Sequence, residues 1–457
     1  MLFRSSEIKA ILAHPNIEAV IDKTGIAEVF GLGPTHTPGV GVFKDIFELK
    51  PAHFIRFSSD GLVIRRYWEF VSEEHSDNLA NTAEKVRYLA RDAITRQLVS
   101  DVPLCTFLSG GLDSSAISAI AAGQYAFEKG LRLDTYSFDY KDNDRFFRKS
   151  SFQPDADKKW ADRMSNELST RHKCLVADTD TIIENLEAAV YARDLPGMAD
   201  FDSSLLFYCN QVKKRHTVAL SGECADEIFG GYPWFHSQKA FETPMFPWQH
   251  SISKRARLLS SDMAFYTDLE GYVSRRYTET VEKTPRLQGE NSHEARRREI
   301  FYLNITWFMS QLLERKDRMS MASGLEVRVP FCDHRLAEYV WNIPWNMKSL
   351  GGREKGILRL ALKGILPDDI IDRKKSPYPK THNPSYELKV KEILHEILCD
   401  NTSPLLEIID KSYIEELMLL ESDLSSPFFG QLMSTPQLYA YLIQINIWLK
   451  AYRISIR

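Results

Sequence analysis

Hydrophobic positions change their period twice along the chain. Residues 1 to about 72 alternate short β-type runs with turns. Among the turns, Gly31-Leu32-Gly33-Pro34 is ordinary turn chemistry and not a dinucleotide fingerprint, because His36 stands where a third Gly is needed. From 79 to 100 the apolar residues Val86, Leu89, Ala90, Ala93, Ile94 and Leu98 fall at the spacing of an amphipathic helix. Val102 to Phe107 is then a short apolar run that predicts a buried strand. Strand-like and helical segments alternate after it: Leu133 to Tyr140, 156–169, His172 to Ala177, 180–192, 203–214 and Thr217 to Leu220. This rhythm predicts an α/β fold with a parallel sheet covered on both faces. Beyond about 235 the β alternation largely disappears, and stretches such as 296–310 and 433–450 are long, aromatic-rich and helical in period.

Ligands of parallel sheets bind outside the carboxyl ends of the strands. Leu108, Phe138 and Leu220 are expected to end three strands, so the residues after each should converge. The first turn is Leu108-Ser109-Gly110-Gly111-Leu112-Asp113-Ser114-Ser115, followed by a run of good helix formers. A strand, a Ser/Gly turn and a helix N-terminus aim backbone N–H groups and a positive dipole end at one point, which suits a phosphate. The loop lacks the Lys of the commoner G-x-x-x-x-G-K-[ST] cradle and carries Asp113 instead. An Asp beside a phosphate makes sense with a divalent cation between them, which makes Asp113 a metal-ligand candidate. The alternative is a glycine turn whose Asp caps the helix. The third turn, Ser221 to Tyr232, holds Glu223, Asp226 and Glu227. Three carboxylates so close repel one another unless cations or hydrogen bonds offset them, and a solvated acidic turn is the alternative.

The 457 residues suffice for two or three domains, and a formal net charge of −4 gives no basic bias toward nucleic acid or an anionic membrane. No apolar run reaches the length of a membrane span, and Arg4, Glu7 and Lys9 interrupt any signal-peptide core. Cys105, Cys174, Cys209, Cys224, Cys332 and Cys399 are scattered without C-x-x-C pairing, as expected of a reduced cytoplasmic protein. Three further segments concentrate charge. Arg315-Lys316-Asp317-Arg318 reads as a solvated helix face. Glu326 and Arg328 form either a structural ion pair or a contact to an acidic substrate, the former favoured. Arg373-Lys374-Lys375-Ser376-Pro377-Tyr378-Pro379 is basic and proline-rich, a candidate mobile loop over the site.

The turn 108–115 resembles the pyrophosphate loop of the N-type ATP pyrophosphatases, which cut ATP between the α and β phosphates and use the AMP to activate a carboxylate or similar group. Leu2 to Pro15 and Val42 to Phe70 resemble the closing part of an N-terminal-nucleophile glutamine amidotransferase domain. Ser221 to Tyr232, Leu312 to Asp333 and the K-x-x-L-R pattern at Lys355 to Arg359 resemble the asparagine synthetase family in its own order of motifs. The resemblance implies an amidotransferase tail over 1–72. It also implies a PP-loop synthetase domain with a helical C-terminal part over 73–457.

The activity implied is adenylation of aspartate by ATP to a β-aspartyl-AMP, attacked by ammonia with release of AMP and pyrophosphate. On that analogy Ser109, Gly110, Gly111, Ser114 and Ser115 donate to pyrophosphate, and Asp113 and Asp226 hold Mg2+. Leu108, Phe138, Ser221 and Gly222 hold adenosine, Lys355 reaches the phosphates, and Glu223 is the general base. Two departures stand out: Cys224 replaces the family's usual Gly, and Phe138 a usual aliphatic residue.

The family's catalytic Cys would lie upstream of Met1; residue 2 is Leu, and Cys105 lies in an expected strand without a free α-amino group. Glutamine hydrolysis is therefore not expected of this chain, which would be either a truncated version of a longer protein or one that draws ammonia from solution or from a separate amidotransferase chain. A homodimer could cover the apolar surface or strand edges of an incomplete amidotransferase sheet. Three other readings stay open. Cyclisation of another carboxylate, as in β-lactam synthetases, fits less well because those carry Tyr at position 223. A thiolation enzyme would need catalytic cysteines or a basic RNA-binding surface. A non-catalytic homologue would not need Asp113, Glu223, Asp226 and Lys355 all intact.

Overall fold

In the computed structural model, which describes residues 3–147, 155–249, 252–419, 427–430 and 432–457, the N-terminal segment is more helical than its β-type runs predict. Short helices cover Ile8–Leu12 and Lys23–Ala27, and a π turn covers Glu28–Leu32. The second begins where the Asp22 carboxylate accepts from the Thr24 and Gly25 amides, a local cap that outweighs the β propensity around it. Strand β1 (Val20–Ile21) pairs in parallel with the last strand of the chain, Ser455–Ile456. The expected β character survives in a hairpin of β2 (His53–Ser58) and β3 (Gly61–Arg66). Met1 and Leu2, where an N-terminal nucleophile would be sought, lie outside the described residues.

The site rests on a five-stranded parallel sheet. Its strands are β4 (Leu104–Phe107), β5 (Asp134–Tyr140), β6 (Arg171–Ala177), β7 (Val218–Leu220) and β8 (Glu326–Arg328), in the spatial order β6-β5-β4-β7-β8. All four residues of β4 are buried, as its central place requires, whereas β6 at the edge alternates exposed and covered positions. Helices Leu79–Gln97, Leu112–Lys129, Lys158–Glu167, Thr179–Arg193 and Asp200–Lys213 fall close to the predicted segments. The first is capped by Asn78, whose side chain accepts from the Asn81 amide, and buries Val86, Leu89, Ala90, Ala93 and Ile94. Two corrections concern the sheet. β5 continues to Tyr140, so Phe138 lies inside the strand and not at its end. β8 interrupts the helical second half: three residues are too few to show a period, and their place is set by pairing with β7, Leu220 opposite Arg328. Arg328 binds Glu326 at 2.7 Å and the Gln97 and Val99 carbonyls, which makes the pair structural.

A helix of Ser292–Leu303 runs through a π turn, Asn304–Met309, into Ser310–Ala322. Its last part carries the charge run, and here the solvated-face reading fails. Arg315 and Lys316 are buried, because their positions fall on the same stripe as Gln311, Met319 and Ser320 and face the sheet side of the molecule. Arg315 Nε binds Asp202 at 2.9 Å, and Arg193 lies between Asp202 at 3.7 Å and Glu314 at 2.8 Å. His36 of the N-terminal segment continues the series, 3.6 Å from both Glu314 and Glu48.

Burial alone would lower the His36 pKa, but Glu314 and Glu48 outweigh it against opposing Arg193 and raise it to about 9. A raised folded-state pKa adds stability that is complete below the unfolded value of about 6.5 and is lost as pH rises through about 9. Calorimetry should therefore show the thermal midpoint falling by roughly 3 °C between those limits, and His36→Gln should abolish that fall.

Candidate active site

The first intrahelical bond after β4 runs from the Ser115 amide to the Gly111 carbonyl at 3.0 Å. The amides of Leu112, Asp113 and Ser114 precede it and face the end of the sheet with the positive pole of the helix. The Ser115 amide is spent in that bond, and its fully buried hydroxyl does not reach the cleft, so Ser115 is not among the donors. Ser114 braces the turn: its hydroxyl accepts from the Ser109 amide at 3.2 Å and lies 3.0 Å from the Ser109 hydroxyl. Leu108 is tied to β5 through its amide and the Tyr136 carbonyl. Gly110 has φ +72°, and a Cβ there would lie 2.3 Å from the Trp160 carbonyl carbon. Only glycine fits.

The turn after β7 packs against this loop, so closely that a Cβ added at Gly222 would lie 3.1 Å from the Asp113 Cβ. Its three carboxylates are held apart by different partners. Asp226 meets Lys355 at 2.7 Å and Lys375 at 3.2 Å. Burial would raise its pKa, but the two ammonium groups outweigh that and bring it down to about 2. Glu227 accepts from the Tyr232 hydroxyl at 2.6 Å, and burial, with Asp226 nearby, pushes it up to about 7. Glu223 Oε1 is 2.7 Å from Lys316 Nζ; burial opposes ionisation, and Lys316 outweighs it to hold the carboxyl below its usual range. Cys224 adopts φ +77°, is buried, and does not line the cleft, so the thiol replaces glycine without entering the site.

Lys355, 3% exposed, reaches both loops, with Nζ 2.6 Å from Asp113 and 2.7 Å from Asp226. Asp113 Oδ1 is buried without a hydrogen-bond partner. The surrounding cleft, about 290 Å³, is lined by Leu108, Ser109, Gly111, Asp113, Ser114, Phe138, Ser221, Gly222, Glu223, Asp226 and Lys355. Gly110 shapes the loop from behind.

Segment 373–379 lines the same cleft, and it is anchored. Arg373 donates to the Ser109 carbonyl at 3.1 Å and binds Asp157, and the Lys375 amide donates to Glu354. Tyr378 stacks on Phe138 at 6.3 Å and lies under the Arg315 guanidinium, 4.7 Å from its ring centre. Sequence reasoning missed Lys316, Lys375 and Tyr378 as site residues. The signal for Lys316 was its place on a helical stripe with Met319; Lys375 and Tyr378 carry none beyond their basic, aromatic neighbourhood.

A charged cleft at the carboxyl edge of a parallel sheet defines an α/β enzyme. Residues 85–450 match the asparagine synthase family, and residues 1–68 match a glutamine amidotransferase domain. Over 453 residues the chain is 56% identical to asparagine synthetase [glutamine-hydrolyzing] 3 of Bacillus subtilis (strain 168), covering 99% of this chain and 73% of that protein. It is 25% identical over 447 residues to asparagine synthetase [glutamine-hydrolyzing] 1 of the same organism, covering 91% of this chain and 68% of that protein. Amidase chyE of Penicillium rubens is 25% identical over 423 residues, covering 77% of this chain and 62% of that protein. The chain belongs to the asparagine synthase family and is a carbon–nitrogen ligase. Among the described residues, no helix is long and apolar enough to cross a membrane.

Proposed function

We propose that this chain is an N-type ATP pyrophosphatase that amidates aspartate: ATP adenylates the β-carboxylate, and ammonia displaces AMP from the β-aspartyl adenylate. The observation that carries the reading is one cleft lined by two separately partnered sets of charges, Asp113 and Asp226 on Lys355, and Glu223 on Lys316. A carboxylate is a poor electrophile, and adenylation gives it a good leaving group. The amides of Leu112 to Ser114 and the Lys355 ammonium would stabilise charge on the α-phosphate and the departing pyrophosphate. Leu108, Phe138, Ser221 and Gly222 would hold adenosine.

Mg2+ fits the phosphate end. Asp113 and Asp226 supply two carboxylates, one with an unpartnered buried oxygen, and Mg2+ takes one or two carboxylates together with substrate phosphates. When bound, the ion neutralises the phosphates. Glu223, ionised, would take the proton released when ammonia becomes an amide nitrogen. Residues 1–72 are read as amidotransferase tail and 73–457 as the synthetase domain.

The test is pyrophosphate release from Mg-ATP with aspartate, in parallel with ammonia, glutamine and neither, while asparagine is assayed. Asparagine formed from ammonia supports the reading. ATP binding without aspartate-dependent pyrophosphate would move the assignment to another carboxylate. Gly110→Ala, which forces the loop off the Trp160 backbone, should slow pyrophosphate release on the order of 100-fold in the same assay.

A further inference from the structure

Lys316 has no role in the resemblance, yet it is 4% exposed and its ammonium sits where the acidic end of the cleft is made. It takes Glu223 Oε1 at 2.7 Å and lies 5.2 Å from the centre of the Phe107 ring, which closes its other side. Glu223 Oε2 is buried and has no hydrogen-bond partner. One carboxylate oxygen is thus occupied and the other is left bare on the cleft wall. A bare buried carboxylate oxygen is costly unless something arrives to use it.

We propose that Lys316 is a positioning residue for the amide-forming step: it clamps Glu223 through Oε1 so that Oε2 alone meets the incoming nitrogen. The inference rests on the amidation reading above. In that step the nitrogen lone pair forms the C–N bond to the activated carbonyl carbon. One N–H proton passes to Glu223 Oε2, and the electron pair of the C–O bond leaves with AMP. The proton then goes to solvent, because a protonated Glu223 would leave Lys316 without its counter-charge.

Other groups facing Glu223 cannot replace the clamp. Arg315 on the same helix is committed to Asp202, Cys209 on the Asp200–Lys213 helix is a neutral buried thiol, and Asp226 on its own turn is held by two lysines. Removing Lys316 leaves burial at Glu223 opposed only by the weaker Ser221 hydroxyl and Glu223's own backbone amide, so its carboxyl should titrate higher.

The experiment compares Lys316→Met, Lys316→Gln and Lys316→Arg in two assays: the pyrophosphate burst without ammonia, and the pH profile of asparagine formation with it. Lys316→Met should lose amide formation about 100-fold, keep the burst within about threefold, and move the acidic limb up by about one pH unit. Lys316→Arg, which keeps the cation, should recover amide formation to within about tenfold of the unaltered protein. If Lys316→Met unfolds, Lys316→Gln decides by the same two readouts, since its amide can still donate to Oε1 without charge. An unmoved acidic limb, an unaltered amide rate, or a parallel loss of burst and amide in Lys316→Arg would overturn the role of Lys316. Absence of any burst from the unaltered protein would instead overturn the amidation reading.

Discussion

Glu223→Gln should abolish amide formation, by about 10²–10⁴-fold, while the pyrophosphate burst survives nearly intact. The two effects separate because the groups have different partners. On the proposed reading the phosphate chemistry falls to Asp113, Asp226 and Lys355, whose contacts are with one another and with Lys375. Glu223 contacts Lys316 instead. The amide isostere keeps the shape and still offers an oxygen to Lys316, but it cannot take a proton. Rapid-quench measurement of pyrophosphate and asparagine from one sample reads both steps. If both survive, Glu223 is not the base.

Lys355→Ala should have the opposite signature, a fall in the burst itself of about 10²–10³-fold. Its Nζ lies between two buried carboxylates, and without it Asp113 loses its one direct ion pair and feels Lys375 only at longer range, while Asp226 keeps Lys375 at 3.2 Å. Breaking such a buried pair costs roughly 3–5 kcal/mol, so the thermal midpoint should fall as well, and added Mg2+ should recover part of it by occupying the same carboxylates. Lys355→Arg is not expected to rescue, because a planar fork does not replace a compact ammonium at a site 3% exposed. A burst of normal size and rate would remove Lys355 from the phosphate site.

What was legible in the chain is what sits in contiguous motifs. The turns 108–115 and 221–227 each follow an apolar strand, and a β–α rhythm predicts that they meet; Gly222 against Asp113 is that meeting. Helix periods were equally readable, down to the start at Leu79, although the Asn78 cap that fixes it was not read. Pairings between distant segments were not. β1 with Ser455–Ile456, the three-residue β8, and Lys316 with Glu223 depend on neighbours far away in sequence. A run of four charges looks solvated until the opposite face is seen to bring Asp202 and Glu223 to it. Local propensity likewise misjudged the N-terminal segment, where Asp22 starts a helix among β-type residues.

The series Arg315, Asp202, Arg193, Glu314, His36, Glu48 links the cleft wall to the N-terminal segment through alternating charges. Each interior member balances the neighbours on both sides, so neutralising one strands two. A single neutralisation along this series should therefore cost more stability than an exchange of an oppositely charged pair. The N-terminal segment and the cleft wall are thus electrostatically coupled through paired charges, of which Arg315 alone lines the cleft.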